Sequence, residues 1–295
     1  MLKRLRNSLA YIQKKSFLMV TYIYAVLGFV GVFVPLDGLI NAYDPLGTKL
    51  LISVLILLGV WLLCVIVISL IVLFTRKRKV VEGRNGKAVY VMYGDLFSEK
   101  IVSRSVARRN ICFAVNRCFD TEIDDHLIAS ASVHGAAMKD LYKKKIYTPD
   151  SLDKVIQESI SPAARFEMLT KQQKPQGNLK RYEVGTAVDV PISEKIRYFM
   201  VGLSALNQDL TAGTSREEYC IAIQRLIEFC DTSAQGQPVL MPIIGGSLSR
   251  TGQSEKDLLQ YIIRSFMINK DRINQDVYIV VRESAKNTIS IMDLN

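Results

Sequence analysis

The chain has 295 residues, 49% of them hydrophobic, and 38 basic against 28 acidic groups give a net charge of +10. Ten of the basic residues fall within residues 1–79, where the acids are Asp37 and Asp44, so the remaining 216 residues are close to neutral. That remainder has no basic stripe interleaved with aromatics, so the charge speaks for membrane topology and against a nucleic-acid partner.

In chain order, Lys3, Arg4, Arg6, Lys14 and Lys15 come first, followed by an uncharged stretch over residues 16–36. As a helix its 21 residues would cover about 31 Å, the thickness of a hydrocarbon core. Residues 50–74 form a second, purer apolar run of 25 residues, about 37 Å as a helix. Arg76, Lys77, Arg78 and Lys79 follow it. Cations outside both spans and an acidic connector between them predict a hairpin with both termini in the cytoplasm. The alternative for the first run is a cleaved signal peptide, but no small-x-small cleavage site follows it. Ala25, Gly28 and Gly31 make a small-residue stripe, suited to packing within the hairpin or between copies. Neither span carries a charge, so the hairpin reads as an anchor or assembly element rather than a transport path. Two domains are expected: residues 1–79 as the membrane hairpin and residues 80–295 as a soluble domain.

Residues 80–87 read as a polar linker. Residues 88–93 (AVYVMY) and 110–116 (NICFAVN) read as strands, each ending in a loop with a carboxylate or amide: Gly94, Asp95, Leu96 and Phe97 after the first, Arg117 to Thr121 after the second. Residues 132–141 are expected to be helical. Thr148, Pro149 and Asp150 start another helix. Residues 161–181 are polar and read as a surface excursion. Residues 181–190 and 196–203 read as strands, and Ser215 with Glu218 is a capping-box pattern opening a helix to about Phe229. Residues 239–244 (VLMPII) are a short apolar strand running into Gly245, Gly246, Ser247, Leu248, Ser249 and Arg250. A helix follows from Ser254, residues 277–281 (VYIVV) form a buried strand, and residues 289–292 close the chain. Alternation of this kind predicts an α/β fold with a mixed sheet and helices on its faces.

In such sheets ligands sit beyond the carboxyl ends of strands. Three loops qualify: residues 94–97, 116–121 and 245–251. Paired glycines at a strand end let a ligand approach the backbone and expose N–H groups that suit a diphosphate, although a plain turn has the same residues. No GxxxxGK[ST] motif occurs, which argues against a triphosphate hydrolase. The five cysteines have no zinc or redox spacing and read as reduced thiols. Two histidines, His126 and His134, cannot build a histidine-rich metal centre. Asp120 and His134 could supply acid–base chemistry, or be turn and surface residues.

At these three loops the chain resembles a macro domain over about residues 85–295. The resemblance rests on Gly94-Asp95-Leu96, on Val115-Asn116, and on the run from Pro242 to Leu248. It implies ADP-ribose binding. Asp95, with Leu96 beside it, would take the adenine amino group. Asn116 matches the first Asn of the family's VNAAN loop, and Gly245, Gly246, Ser247, Leu248 and Ser249 would embrace the diphosphate and distal ribose. Phe119 stands where the second Asn of VNAAN would be, and Ser247 replaces a third glycine. Both departures weaken a hydrolase reading and leave binding intact. Phe119, Asp120, Leu248 and Arg250 are expected at the ligand site, Phe119, Leu248 and Arg250 also as contacts to a neighbouring copy. The stretches VNRCFDT, SVHG and IIGGSLSRTG are similar to the macro domain of Thoeris anti-phage effectors, one type of which carries two membrane helices before it. That resemblance implies an effector at the bacterial inner membrane. It would bind an ADP-ribose derivative made from NAD by a TIR-domain partner, then assemble as a homo-oligomer that disrupts membrane lipid. It implies no catalytic residue, cofactor or metal. The alternative is a membrane-tethered ADP-ribosyl hydrolase.

Overall fold

The computed structural model describes residues 2–33, 45–102, 107–246 and 251–294. They divide into two units, Met1–Arg76 with Ala285–Asn295, and Lys77–Ser284.

The larger unit is built on strands whose central residues form unbroken apolar runs. In β3 (Arg109–Asn116) and β10 (Val277–Arg282) the residues from Ile111 to Phe113 and from Val277 to Val281 are all buried. Such runs suit parallel strands covered on both faces. The main sheet runs β1-β2-β10-β9-β3-β7-β6, with β1 as Lys77–Glu82, β2 as Ala88–Gly94, β9 as Val239–Pro242, β7 as Ile196–Leu206 and β6 as Ala187–Ser193. The five central strands β2, β10, β9, β3 and β7 are parallel, and β1 and β6 close the edges antiparallel. The short β8 (Ala212–Gly213) pairs with β7. This is the mixed sheet expected from the sequence.

Helices cover both faces. On one, α4 (Val133–Lys143) and α5 (Pro149–Ser159) contribute Met138, Leu141, Leu152 and Ile156 to a core with Ile111, Phe113 and Met200. On the other, Phe229 of α6 (Arg216–Ser233) meets Phe199 edge-on with ring centres 5.1 Å apart. The helix α7 (Glu255–Ile268) buries Leu258, Leu259, Ile262 and Ile263. Their starts are capped as the sequence signals: Thr148 with Ser151, and Ser215 with Glu218, form reciprocal capping boxes, and Ser132 and Ser254 each accept a backbone N–H.

Two assignments differ from the sequence reading. Residues 77–82 are not flank and linker but the edge strand β1, whose Lys77 Nζ lies 3.8 Å from the Tyr90 ring centre, over a Tyr90–Tyr278 stack. Residues 181–190 are two strands, because Glu183 to Thr186 turn through Gly185 between β5 (Lys180–Tyr182) and β6. β5 pairs with β4 (Phe166–Met168) as a separate hairpin inside the polar excursion. Residues 289–292, which close the chain, end in a turn.

The smaller unit contains α1 (Leu2–Asn7), α2 (Leu9–Phe33) and α3 (Leu46–Phe74). Among the described residues one helix, Gly47–Phe74, is long and apolar enough to cross a membrane, with a mean hydropathy of 3.2. α2 packs along α3, and the end of the expected first span lies outside the described residues. Arg4, expected as a topogenic cation, is buried and donates at 2.7 Å to the carbonyls of Leu73 and Thr75. A cation there satisfies the unpaired acceptors and negative pole of a helix C-terminus. Residues 285–294 belong to this unit rather than to the sheet: Ser290 Oγ lies 2.7 Å from Ser8 Oγ, and Asn7 Nδ2 donates to the carbonyl of Asn287.

Candidate functional site

All five parallel strands end along one edge, and two adjoining cavities open there. The first, about 530 Å³, lies beyond β2, β9 and β10 and is lined by residues 94–97, 242–246 and 280, by Arg282 and Glu283, and by Glu255 of α7. The second, about 360 Å³, lies beyond β3 and β7, between Asn116, residues 125–129 and residues 204–212. Ala114, Ser132 and His134 wall both. Each volume is in the range of small-molecule sites.

Of the residues singled out in the sequence, Asp95, Leu96, Gly245 and Gly246 are brought together around the first cavity. Asp95 is exposed, and its Oδ1 accepts the Phe97 N–H at 3.1 Å, which shapes the loop after β2. Gly245 has φ +84°, and a Cβ there would stand 2.5 Å from the Tyr219 ring. No side chain fits at that position. Tyr219 Oη donates to the Ile244 carbonyl at 3.1 Å, and Thr251 Oγ1 donates to that of Gly245 at 3.0 Å, so the glycine loop is pinned from two sides. Burial pushes the Tyr219 phenol far up, which keeps it a donor. Gly246 does not have positive φ, so the conformational demand falls on Gly245. Ser247, Leu248, Ser249 and Arg250 lie outside the described residues.

The loop after β3 behaves differently. Asn116 borders the second cavity, but its amide is committed: Oδ1 accepts the N–H groups of Cys118 and Asp120, and Nδ2 donates to the Leu127 carbonyl. Phe119 lines neither cavity. It is fully buried at φ +53°, edge-on to Tyr182 at 5.8 Å, which rules it out as a surface contact to a neighbour in this conformation. Asp120 is also outside both cavities. Its carboxylate receives Lys174 Nζ at 2.9 and 3.1 Å and the Asn178 N–H at 2.7 Å. Burial raises its pKa, opposed by Lys174 and these hydrogen bonds. Lys174 is itself fully buried and also donates to the carbonyls of Gln176 and Asn178. Gly177 sits so close that a Cβ would stand 2.2 Å from Asp120 Oδ1. Asp120 is therefore the anchor that ties the polar excursion to the β3 loop.

His134 is in the first turn of α4, between the cavities, with its ring 6.1 Å from that of Phe113. Burial lowers its pKa to about 3, so it is neutral at physiological pH, and its buried Nε2 has no hydrogen-bond partner among the described residues. Arg282, Glu283 and Glu255 escaped the sequence reading. Arg282 and Glu283 are the first polar residues past the apolar run of β10, and Glu255 is the first residue of α7 after its cap. Their place at the ends of elements was the available signal.

The family model described as Thoeris protein ThsA, Macro domain, matches residues 89–282, about two thirds of the chain and the whole cavity-bearing sheet from β2 to β10. The chain belongs to this family. The macro fold inferred from the three loops is thus borne out, and the membership makes this a protein of the Thoeris type. The Thoeris protein ThsA of Bacillus amyloliquefaciens (strain Y2) is 26% identical over 243 residues, covering 81% of this chain and 73% of that protein. Solved structures of lower identity include a point mutant of the Oceanobacillus iheyensis macrodomain, 12% identical with a TM-score of 0.43, over 72% of this chain and 92% of that one. The same macrodomain with ADP is 11% identical with a TM-score of 0.40, over 72% of this chain and 93% of that one. Within the ThsA macro family, the matched segment begins one residue into β2 and ends at Arg282, so β1 and the N-terminal helices lie outside it.

Proposed function

We propose that the chain is a membrane-anchored Thoeris effector whose macro domain binds an ADP-ribose-type signal and whose helices then assemble to disrupt the inner membrane. The observation that carries the binding step is the pinned glycine loop at Gly245 and Gly246. It borders a cavity of about 530 Å³ with Asp95 on the same rim. A backbone held open by glycine is suited to phosphate, and a carboxylate is suited to an amino group. Anchoring draws on the apolar helix Gly47–Phe74. A second span over residues 16–36, cytoplasmic termini, a TIR-domain partner that makes the signal from NAD, and a homo-oligomeric active state complete the reading. A ligand drives such assembly only through a higher affinity for the assembled state.

Binding without turnover is favoured over the hydrolase alternative by the two groups considered for acid–base chemistry. Asp120 is locked to Lys174 away from both cavities, and the Nε2 of the neutral His134 is closed off from solvent. The deciding experiment uses the full chain in detergent micelles. Calorimetry with ADP-ribose should show saturable binding, the particle should grow on adding ligand, and free ADP-ribose should not accumulate from an ADP-ribosylated substrate. Steady release would establish the hydrolase instead, and no binding would place the ligand in another class.

A further inference from the structure

The described walls of the first cavity carry three carboxylates, Asp95, Glu255 and Glu283, and one cation, Arg282. That balance is opposite to what an anionic ligand requires. Arg282 is also engaged: its Nη2 lies 2.8 Å from Glu255 Oε1. Glu255 opens α7, where the positive pole of the helix favours a carboxylate. The same Oε1 stands 3.4 Å from the point where a Cβ on Gly246 would be. A carboxylate of the chain therefore occupies the space beside the glycine loop and holds the cation that faces it.

We propose that Glu255 is a built-in competitor for Arg282, displaced when a phosphate-bearing ligand enters the first cavity. The inference rests on the reading of that cavity as an ADP-ribose-type site. Exchanging one carboxylate partner of Arg282 for another singly charged group gains almost nothing. A diphosphate offers more charge and more acceptor oxygens for the guanidinium fork, so it wins the exchange. The pair thus sets a charge threshold: multiply charged ligands open it, and uncharged ligands leave it shut. The Arg282 side chain is 62% exposed and that of Glu255 26%, so the pair parts into solvent at small cost.

The test measures affinity for ADP-ribose and for adenosine by calorimetry on the full chain in detergent micelles, as wild type, E255Q and R282Q. E255Q keeps the shape and removes the competing charge. It should bind ADP-ribose roughly three- to tenfold tighter and adenosine equally well, with its melting temperature close to that of the wild type. R282Q should bind ADP-ribose about tenfold or more weakly. In the R282Q background the gain from E255Q should shrink, because the two residues act on the ligand as one unit. Wild-type binding that E255Q leaves unchanged or weakens overturns the competitor and leaves the proposed function standing. An equal gain for adenosine also overturns it, since it would reflect general opening of the cavity. No binding of ADP-ribose by wild type and E255Q alike overturns both.

Discussion

The loops after β9 and β3 lie on the same edge of one sheet, and both resemble parts of a nucleotide site, yet their polar groups have opposite fates. At Gly245 and Gly246 the structure spends side chains from outside, Tyr219 and Thr251, to hold a bare backbone at the rim of a cavity. At Asn116 to Asp120 the loop's own side chains are used up internally: the Asn116 amide on three backbone groups, the Asp120 carboxylate on Lys174, and Phe119 on Tyr182. A polar residue in a motif is available to a ligand only when the fold has not already satisfied it.

The largest effect should come from breaking the closed loop. Lys174→Met leaves Asp120 buried without its cation and should cost about 3–5 kcal/mol of stability, read from chemical denaturation of the full chain. Adding Asp120→Asn should recover part of that loss. If Lys174→Met unfolds no more readily than wild type, the two loops are less different than their geometry implies. Ligand affinity tests the open loop's side of the comparison. Asp95→Ala should weaken ADP-ribose binding by about 1.5–3 kcal/mol through loss of a charged acceptor, with little change in melting temperature. Equal affinity in the two proteins would move the ligand away from this rim.

His134, on the wall shared by both cavities, gives a smaller and pH-dependent effect. Its pKa is about 3 in the fold against an ordinary 6.5, so the unfolded chain binds the extra proton between those values. Stability from this group is complete above pH 6.5 and falls as the pH drops, by about 2 kcal/mol at pH 5. Thermal denaturation from pH 7.5 to 5 should show the decline, and His134→Phe should flatten it. An equally steep decline in His134→Phe would assign the proton to other groups. The smallest effect is expected farthest from either loop. Gly28 of α2 has nothing within 4 Å of a notional Cβ among the described residues. Gly28→Leu should therefore change ADP-ribose affinity by less than about 0.5 kcal/mol. It should nevertheless suppress dye entry into challenged cells if copies pack through that face. Unimpaired dye entry would remove α2's small-residue stripe from the assembly.

Much of this was legible in the sequence because it is encoded locally. Apolar runs such as VYIVV and NICFAVN announce parallel strands, and Thr148, Ser215 and Ser254 announce helix starts at the residues where they occur. What was missed depends on partners far along the chain. β1 (KRKVVE) has mostly exposed or half-buried charged residues and becomes a strand only by pairing with β2. Lys174 sits in a polar stretch with no sign that its partner, Asp120, lies 54 positions earlier. Arg4 looks like a topogenic charge until the end of α3 is seen beside it. The rim was half legible. Asp95, Gly245 and Gly246 stand out by type and position, whereas Arg282 and Glu255 are marked only by their place at element ends and are joined when β10 and α7 converge on the same cavity.

The register of the edge strand has a mechanical consequence. The sheet-bearing unit is continuous with the rest of the chain at two peptide links, after Arg76 and after Ser284. Lys77 pairs with Met92, and Arg282 lies beside Gly94, so both exits leave from the end of the sheet that carries the cavity. Tension on either exit enters the domain at the rim, within a few residues of Asp95. For a force applied along the chain, the ligand loops are the near end of the lever.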